Sequence, residues 1–144
     1  MSTKAVVDAS VIMAALLPDE PAQPAARRVL ERYVEGELEL LAPTLLPYEI
    51  ANSLLKAERR PEREVNADAV DEILERLEEL DIPLKPIPMS ETVSWARRYD
   101  RWAYDAAYLA LAEREEAPLV TADKRLFNAV KERFRWISWV EEFA

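Results

Sequence analysis

Short apolar runs alternate with amphipathic stretches along the whole chain. Positions 5–7 are Ala-Val-Val and lead into Asp8, while Leu119 and Val120 lead into Thr121 in the same way. Runs this short and this apolar predict strands buried on both faces, as in a parallel sheet. The stretches between them place apolar residues three and four positions apart, which is the period of a helix with one buried face. The alternation therefore predicts an α/β fold in which helices cover a parallel sheet.

Residues at the element boundaries predict where several elements begin and end. Ser10, Thr44 and Ser90 are expected to open helices, because a hydroxyl oxygen can accept from the free N–H groups of a first turn. Gly36 stands where a left-handed residue would end the second helix, and it is the one glycine in the chain. Positions 134–140 are expected to form the last strand.

Length and composition set limits on the class of protein. The chain has 144 residues, of which half are hydrophobic, so we expect one domain over 1–144 with a substantial core. No apolar run approaches the length of about twenty residues that spans a membrane, and no signal-peptide pattern is present, so a cytoplasmic protein is expected. One glycine, ten prolines and 33% charged residues resemble the composition of heat-adapted proteins, which predicts a thermophile.

Two residue types that are missing from the chain exclude several kinds of catalysis. The chain has neither Cys nor His, which rules out Cys/His zinc sites, thiol nucleophiles and histidine-dependent triads. A single glycine also rules out the Gly-rich loops that bind phosphates or dinucleotides. Any catalysis must therefore depend on carboxylates, whose hard oxygens suit Mg²⁺ or Mn²⁺.

Four acids occupy positions that can gather at one edge of the predicted sheet. Asp8 ends a strand, and Asp123 follows Thr121 at the end of another. Asp105 begins a helix that is apolar nearly all round, and Glu49 lies on the polar stripe of an otherwise apolar helix. The carboxyl ends of parallel strands open on the same edge, where helix starts also gather. Four carboxylates there would repel one another and raise their own pKa values unless a divalent ion sat among them to activate a water.

Each of these acids also has a purely structural explanation. Asp105 and Asp123 stand where side chains cap helices. Glu49 can form an exposed ion pair with Lys56, and Asp8 can hydrogen-bond its own turn. The structural explanations become weaker when the acids are taken together, because a parallel sheet would bring them to a common edge.

Four sequence motifs, in order, resemble the PIN domain ribonucleases and, among them, the VapC toxins of toxin–antitoxin pairs. The motifs are VVDAS, PYEIANSL, AYDAAYLALAE and LVTADKRL, and they span nearly the whole chain. The resemblance implies a three-layer α/β/α sandwich with a parallel sheet in the order 3-2-1-4-5. The residues that it assigns to the site are the catalytic, metal-binding acids Asp8, Glu49, Asp105 and Asp123 and the supporting Ser10, Asn52 and Thr121.

The resemblance also implies an activity, cofactors and partners. The family usually hydrolyses single-stranded RNA with Mg²⁺ or Mn²⁺, as a homodimer held by a small antitoxin protein. The formal net charge of −9 argues against a general attraction to nucleic acid. RNA binding would then depend on a few basic residues, for which the candidates are Lys56, Arg101, Lys124 and Arg125.

Two other functions are compatible with parts of this pattern. A phosphatase of the aspartyl-phosphate kind also begins with an acid after the first strand, but its second acid would stand at the place of Ser10. A non-catalytic PIN-like module would use the same shell for protein contact. The aromatic residues Trp95, Tyr99 and Trp102 fit either a dimer contact or core packing.

Overall fold

Five strands form one parallel sheet in the computed structural model, which describes residues 3–144. Their order across the sheet is β3-β2-β1-β4-β5, so the expected α/β fold and strand order are confirmed. The strands are β1 (Thr3–Val7), β2 (Leu38–Pro43), β3 (Leu84–Lys85), β4 (Leu119–Thr121) and β5 (Ile137–Trp139).

Helices connect the strands and pack on the sheet. They are α1 (Ala9–Leu16), α2 (Gln23–Val34), α3 (Leu46–Glu58), α4 (Ala67–Leu80), α5 (Met89–Tyr99), α6 (Ala103–Glu115), α7 (Lys124–Val130) and α8 (Val140–Phe143), with a 3-10 turn at Pro61–Arg63. Over residues 3–144, none of these helices has the length and apolarity needed to cross a bilayer.

Strand β1 lies at the centre of the sheet and of the hydrophobic core. It pairs with β2 through Val6 and Leu41, and with β4 through Val6 and Leu119. Ala5, Val6 and Val7 are fully buried, although consecutive strand residues point to opposite faces. Both faces of the sheet are therefore covered, as in a three-layer sandwich.

Several element boundaries differ from the sequence-based expectations. Helix α1 begins at Ala9 with Asp8 as its N-cap, so Ser10 does not open it. The expected caps Thr44 and Ser90 are also wrong, because helices α3 and α5 begin after Leu45 and Pro88 without a side-chain cap. Helix α3 has a proline in its first turn, which lacks an N–H group and so leaves less to cap.

The last strand is shorter than expected, whereas the glycine prediction is confirmed. Strand β5 covers only 137–139, because its neighbour β4 has three residues with which it can pair, and Val140 then begins α8. Gly36 has a φ of +81° after the end of α2, in the left-handed region that favours glycine.

The three aromatic residues near the end of α5 have different environments. Trp95 stacks on Tyr99 at a centroid distance of 5.6 Å, and Phe134 packs edge-on against both rings. Core packing therefore accounts for Trp95 and Tyr99. Trp102 lies just beyond the helix and is 85% exposed.

Candidate active site

Asp8 is buried where the central strand ends and helix α1 begins. Its carboxylate accepts a hydrogen bond from the Ser10 hydroxyl and another from the Val11 N–H at 3.3 Å. Only 5% of Asp8 is exposed, because the strand before it is buried on both faces. The expected bond of Asp8 to its own turn is thus present, and it leaves the carboxyl at the edge of the sheet.

A network of hydroxyl groups joins the end of β1 to the end of β4. The Ala122 N–H donates to Ser10 Oγ at 2.8 Å, and the hydroxyls of Ser10 and Thr121 lie 3.3 Å apart. The Asp123 N–H donates in turn to Thr121 Oγ1 at 3.0 Å. Ser10 and Thr121 therefore tie Asp8 and Asp123 to one framework, and their supporting role in the site stays a prediction from the family resemblance.

Asp123 caps helix α7 with only one of its two carboxylate oxygens. The N–H groups of Arg125 and Leu126 donate to Oδ1 at 2.9 and 3.4 Å. The structural explanation is therefore correct for Asp123. It does not exclude a role in the site, because none of these bonds uses the second oxygen.

Glu49 lies on helix α3, half-buried, and meets a buried tyrosine. Burial is the main cause that raises the pKa of Glu49, and the charges of Asp105 and Asp123 raise it further. The Tyr108 hydroxyl lowers that pKa from the opposite side. In the part of the chain that the structure describes, no salt bridge joins Glu49 to Lys56. An ion pair with Lys56 therefore does not account for Glu49.

Tyr108 is a site residue that the sequence did not single out. It is 2% exposed, and no group in residues 3–144 meets its hydroxyl at full hydrogen-bonding geometry. Burial and the neighbouring carboxylates of Glu49 and Asp8 raise the pKa of its phenol, so it stays protonated as a donor. A tyrosine within an apolar helical run carries no sequence signal that separates this position from ordinary core packing.

Asp105 is held by an arginine and does not cap helix α6. Arg101 donates to Asp105 Oδ2 from Nε at 3.1 Å and from Nη2 at 2.9 Å. The N-cap position belongs to Trp102, which makes no side-chain cap. The capping explanation is therefore wrong for Asp105, and Arg101, expected as an RNA-binding residue, is bound to a site acid.

An open pocket of about 720 Å³ is lined by part of this site, although Asp8 and Asp105 are not among its lining residues. The expected residues that line it are Ser10, Glu49, Lys56, Asp123 and Lys124. Lining residues that the sequence analysis did not propose are Ser53, Arg60, Arg63 and Trp139. Asn52 and Arg125 are exposed and do not line the pocket.

The polar residues that line the pocket from helix α3, together with Arg60 just after its end, share a regular spacing. Glu49, Ser53, Lys56 and Arg60 recur every three or four positions, which is one helix face. This spacing was a usable signal for Ser53 and Arg60. No comparable signal marks Trp139, because it reaches the pocket from the last strand.

The pKa of Asp8 is shifted furthest among these acids. Burial raises it from an ordinary value of 3.8 to about 7, against the lowering effect of the hydrogen bonds from Ser10 and Thr121. The charge of Asp123 adds only the smallest contribution. A raised pKa was expected from repulsion among the acids, whereas the main cause is removal of the carboxylate from water.

Comparison with known protein families agrees with this fold. The family model described as PIN domain matches residues 5–132. The chain belongs to the PIN domain family.

Relatives of known name match this PIN domain over most of its length. Ribonuclease VapC3 of Pyrobaculum aerophilum is 37% identical over 127 residues, covering 85% of this chain and 92% of the relative. Ribonuclease VapC9 of Mycobacterium tuberculosis is 37% identical over 121 residues, covering 84% and 87%. The crystal structure of PAE2754 from Pyrobaculum aerophilum matches with a TM-score of 0.71 and 26% identity, over 99% of this chain and 95% of that chain.

The oxygen donors of this PIN domain fit a hard divalent cation in chemistry, but they are not preassembled. Carboxylates and hydroxyls without nitrogen or sulfur ligands suit Mg²⁺ or Mn²⁺. Within residues 3–144, however, no three acids stand close enough together to form a ready cation site. Asp105 in particular is engaged by Arg101.

The raised pKa of Asp8 predicts how stability depends on pH in the absence of metal. A carboxyl with a higher pKa in the folded chain stabilises the fold while it is protonated, below about pH 4, and loses this effect as pH rises to about 7. A difference of about three pKa units corresponds to about 4 kcal/mol. The free energy of unfolding in EDTA should therefore fall over this range, as measured by urea titration.

Asp8→Asn, which cannot ionise, should remove this fall and exceed the wild type in stability at pH 8. Asp71→Asn, at an exposed position of α4, should keep the wild-type profile. An identical pH profile for Asp8→Asn and the wild type would contradict the buried-acid account.

Proposed function

We propose that this PIN domain is an endoribonuclease that hydrolyses phosphodiester bonds in single-stranded RNA with Mg²⁺ or Mn²⁺. The observation that carries the proposal is that Glu49 and Asp123 line one open pocket at the carboxyl edge of the sheet, with the buried Asp8 bonded to Ser10 of the same lining. Its relatives bear the name ribonuclease, which supports an RNA substrate. The VapC name of the same relatives supports a toxin that is paired with a small antitoxin protein.

The proposed ligands of the cation are the four acids Asp8, Glu49, Asp105 and Asp123. A bound Mg²⁺ or Mn²⁺ supplies an activated water and compensates the charge that develops on the phosphate. Asn52 is exposed and has no contact that supports a role, so its assignment rests on the motif alone.

The protein's own groups would hold the acids and the substrate in place. The hydroxyl network of Ser10 and Thr121 fixes the Asp8 carboxylate and favours its ionised form. Arg101 holds the Asp105 carboxylate in one orientation by its two N–H donors. Lys56 and Lys124 line the same pocket as the acids, where their ammonium groups can receive an RNA phosphate.

One observation favours the non-catalytic alternative, and it concerns the same acids. Within the described part of the chain, no three acids lie close enough together to hold a metal ion. The same arrangement would be expected of a protein without catalytic activity. The phosphatase alternative has less support, because Ser10 occupies the place of its second acid and is bonded to Asp8. A nuclease should cleave RNA but not a small phosphoester, a phosphatase should hydrolyse the phosphoester, and a non-catalytic module should act on neither.

The proposed homodimer has a candidate surface in an exposed apolar patch. Met89, Trp102 and Tyr104 are 81%, 85% and 64% exposed, and they line a shallow groove of about 590 Å³ beside α3 and α6. Contiguous exposed apolar area of this kind marks interaction sites. We propose that a second copy of the chain covers it.

Metal-dependent cleavage tests the proposed function. The purified chain, free of antitoxin, should cleave single-stranded RNA in Mn²⁺ and lose this activity in EDTA. Asp8→Asn and Glu49→Gln should lower the rate by about a hundredfold or more, because each removes a ligand charge. The matched controls Asp71→Asn and Glu75→Gln, on the exposed face of α4, should cleave like the wild type. Cleavage by Asp8→Asn at the same rate as by Asp71→Asn would contradict the proposal.

The dimer surface is tested by light scattering of the full chain. The wild type should give about twice the monomer mass of 16.5 kDa. Trp102→Glu should give the monomer, because it puts a charge into an apolar interface. Val34→Glu, at another exposed apolar position on α2, should remain dimeric. A monomeric wild type, or a dimer that survives Trp102→Glu, would count against this surface.

A further inference from the structure

An acidic chain carries two short segments of the opposite charge. Segments 97–101 and 124–135 together hold eight basic and two acidic residues, although the whole chain has 19 basic and 28 acidic ones. Such a local reversal of charge does not follow from composition. It indicates a surface where a negative partner is attracted while the rest of the molecule repels it.

The two basic segments meet over the ring of one tyrosine. The Arg98 and Arg133 guanidiniums lie 5.6 and 4.8 Å from the centroid of Tyr99. Arg133 Nη2 also donates to the Arg98 carbonyl at 3.3 Å, and the Tyr99 hydroxyl donates to the Arg133 carbonyl at 3.3 Å. The fold thus brings two arginines that are 35 positions apart in sequence to the ring of one tyrosine.

Neither arginine has a compensating acid. No salt bridge within residues 3–144 includes Arg98 or Arg133, and both side chains are exposed. Stacking on the ring holds the guanidinium planes but leaves most of their N–H donors free. Two neighbouring cations with free donors repel each other, and an anion that bridges them removes the repulsion.

The chain links this pair to Asp105, whose charge acts on the pocket residue Glu49. Arg101 follows Arg98 by three positions and bonds directly to Asp105. On the other side, Lys131 lies over the ring of Phe127, which packs against the pocket residue Trp139 at 5.6 Å. Contacts therefore lead from basic groups to the pocket residues Glu49 and Trp139.

We propose that Arg98 and Arg133 bind consecutive phosphates of the single-stranded RNA whose scissile bond lies in the acid pocket. This inference rests on the proposed function and specifies how a protein of net charge −9 holds a polyanion. The two exposed guanidiniums offer bidentate donors to phosphate oxygens, and the contacts are to the backbone, so they are independent of sequence. An acidic polypeptide is the competing occupant of the same surface.

RNA binding by an inactivated chain tests the surface. The Asp8→Asn chain is titrated with a labelled single-stranded RNA oligonucleotide at several KCl concentrations, and binding is followed by fluorescence anisotropy. Adding Arg98→Gln and Arg133→Gln should weaken binding at least tenfold at low salt. It should also reduce the slope of log K against log salt by about 0.7 for each phosphate that is no longer neutralised. Arg98→Lys with Arg133→Lys keeps both charges and should keep most of the slope.

The control pair is Arg28→Gln with Arg76→Gln, which removes the same charge from helices α2 and α4. It should leave affinity and slope close to those of the parent chain, and circular dichroism should show all variants folded. Equal affinities for the Arg98/Arg133 glutamine pair and the control pair would overturn the proposal. So would weakened binding of polyglutamate with unchanged RNA binding, since that result would assign the surface to an acidic protein.

Cleavage by the wild type, measured separately, keeps this proposal distinct from the proposed function. If the wild type and the double variant Arg98→Gln, Arg133→Gln cleave RNA with the same KM, the proposed binding surface is refuted and the proposed activity is not. If the wild type cleaves no RNA, but the double variant Arg98→Gln, Arg133→Gln loses RNA binding, the proposed binding surface is supported and the proposed activity is refuted.

Discussion

Burial of the Asp8 carboxyl at the end of the central strand is the constraint on which the site depends. Because the end of β1 is covered on both faces, Asp8, which follows it as the N-cap of α1, is nearly out of contact with water. A buried charge is costly unless hydrogen bonds or opposite charges compensate it. Ser10, Thr121 and the Val11 N–H provide part of that compensation. The remaining deficit raises the pKa of Asp8 and favours a cation beside it.

The fold and the positions of three candidate site acids were predictable because they follow from local pattern. An apolar run of three residues before Asp8 can be satisfied only in a strand covered on both sides, and the same holds before Thr121. Strand order placed both ends on one edge, which brought Asp8 and Asp123 within electrostatic reach. Glu49 was recognisable because it lies on the polar stripe of an otherwise apolar helix.

The remaining features depend on tertiary contacts that no local pattern encodes. Arg101 and Asp105 stand four apart, a spacing compatible with an ion pair, but the same Asp105 was equally compatible with a cap. In the sequence, Tyr108 cannot be distinguished from a core residue. Only the fold brings its hydroxyl to the Glu49 carboxylate. The convergence of Arg98 and Arg133 joins distant segments through the packing of Tyr99 against Phe134.

Under the proposed function, Asp8 must ionise to bind a divalent cation, and calorimetric titration with Mn²⁺ measures that ionisation. A ligand that is protonated when free must release its proton on binding. At about pH 6, below the raised pKa of Asp8, the wild type should therefore release close to one proton per bound ion, and this number should fall toward zero at about pH 8.5. Asp8→Asn should lose most of the Mn²⁺ affinity, while Asp71→Asn retains it. Binding of Mn²⁺ by Asp8→Asn with wild-type affinity, or no binding by the wild type, would contradict the account.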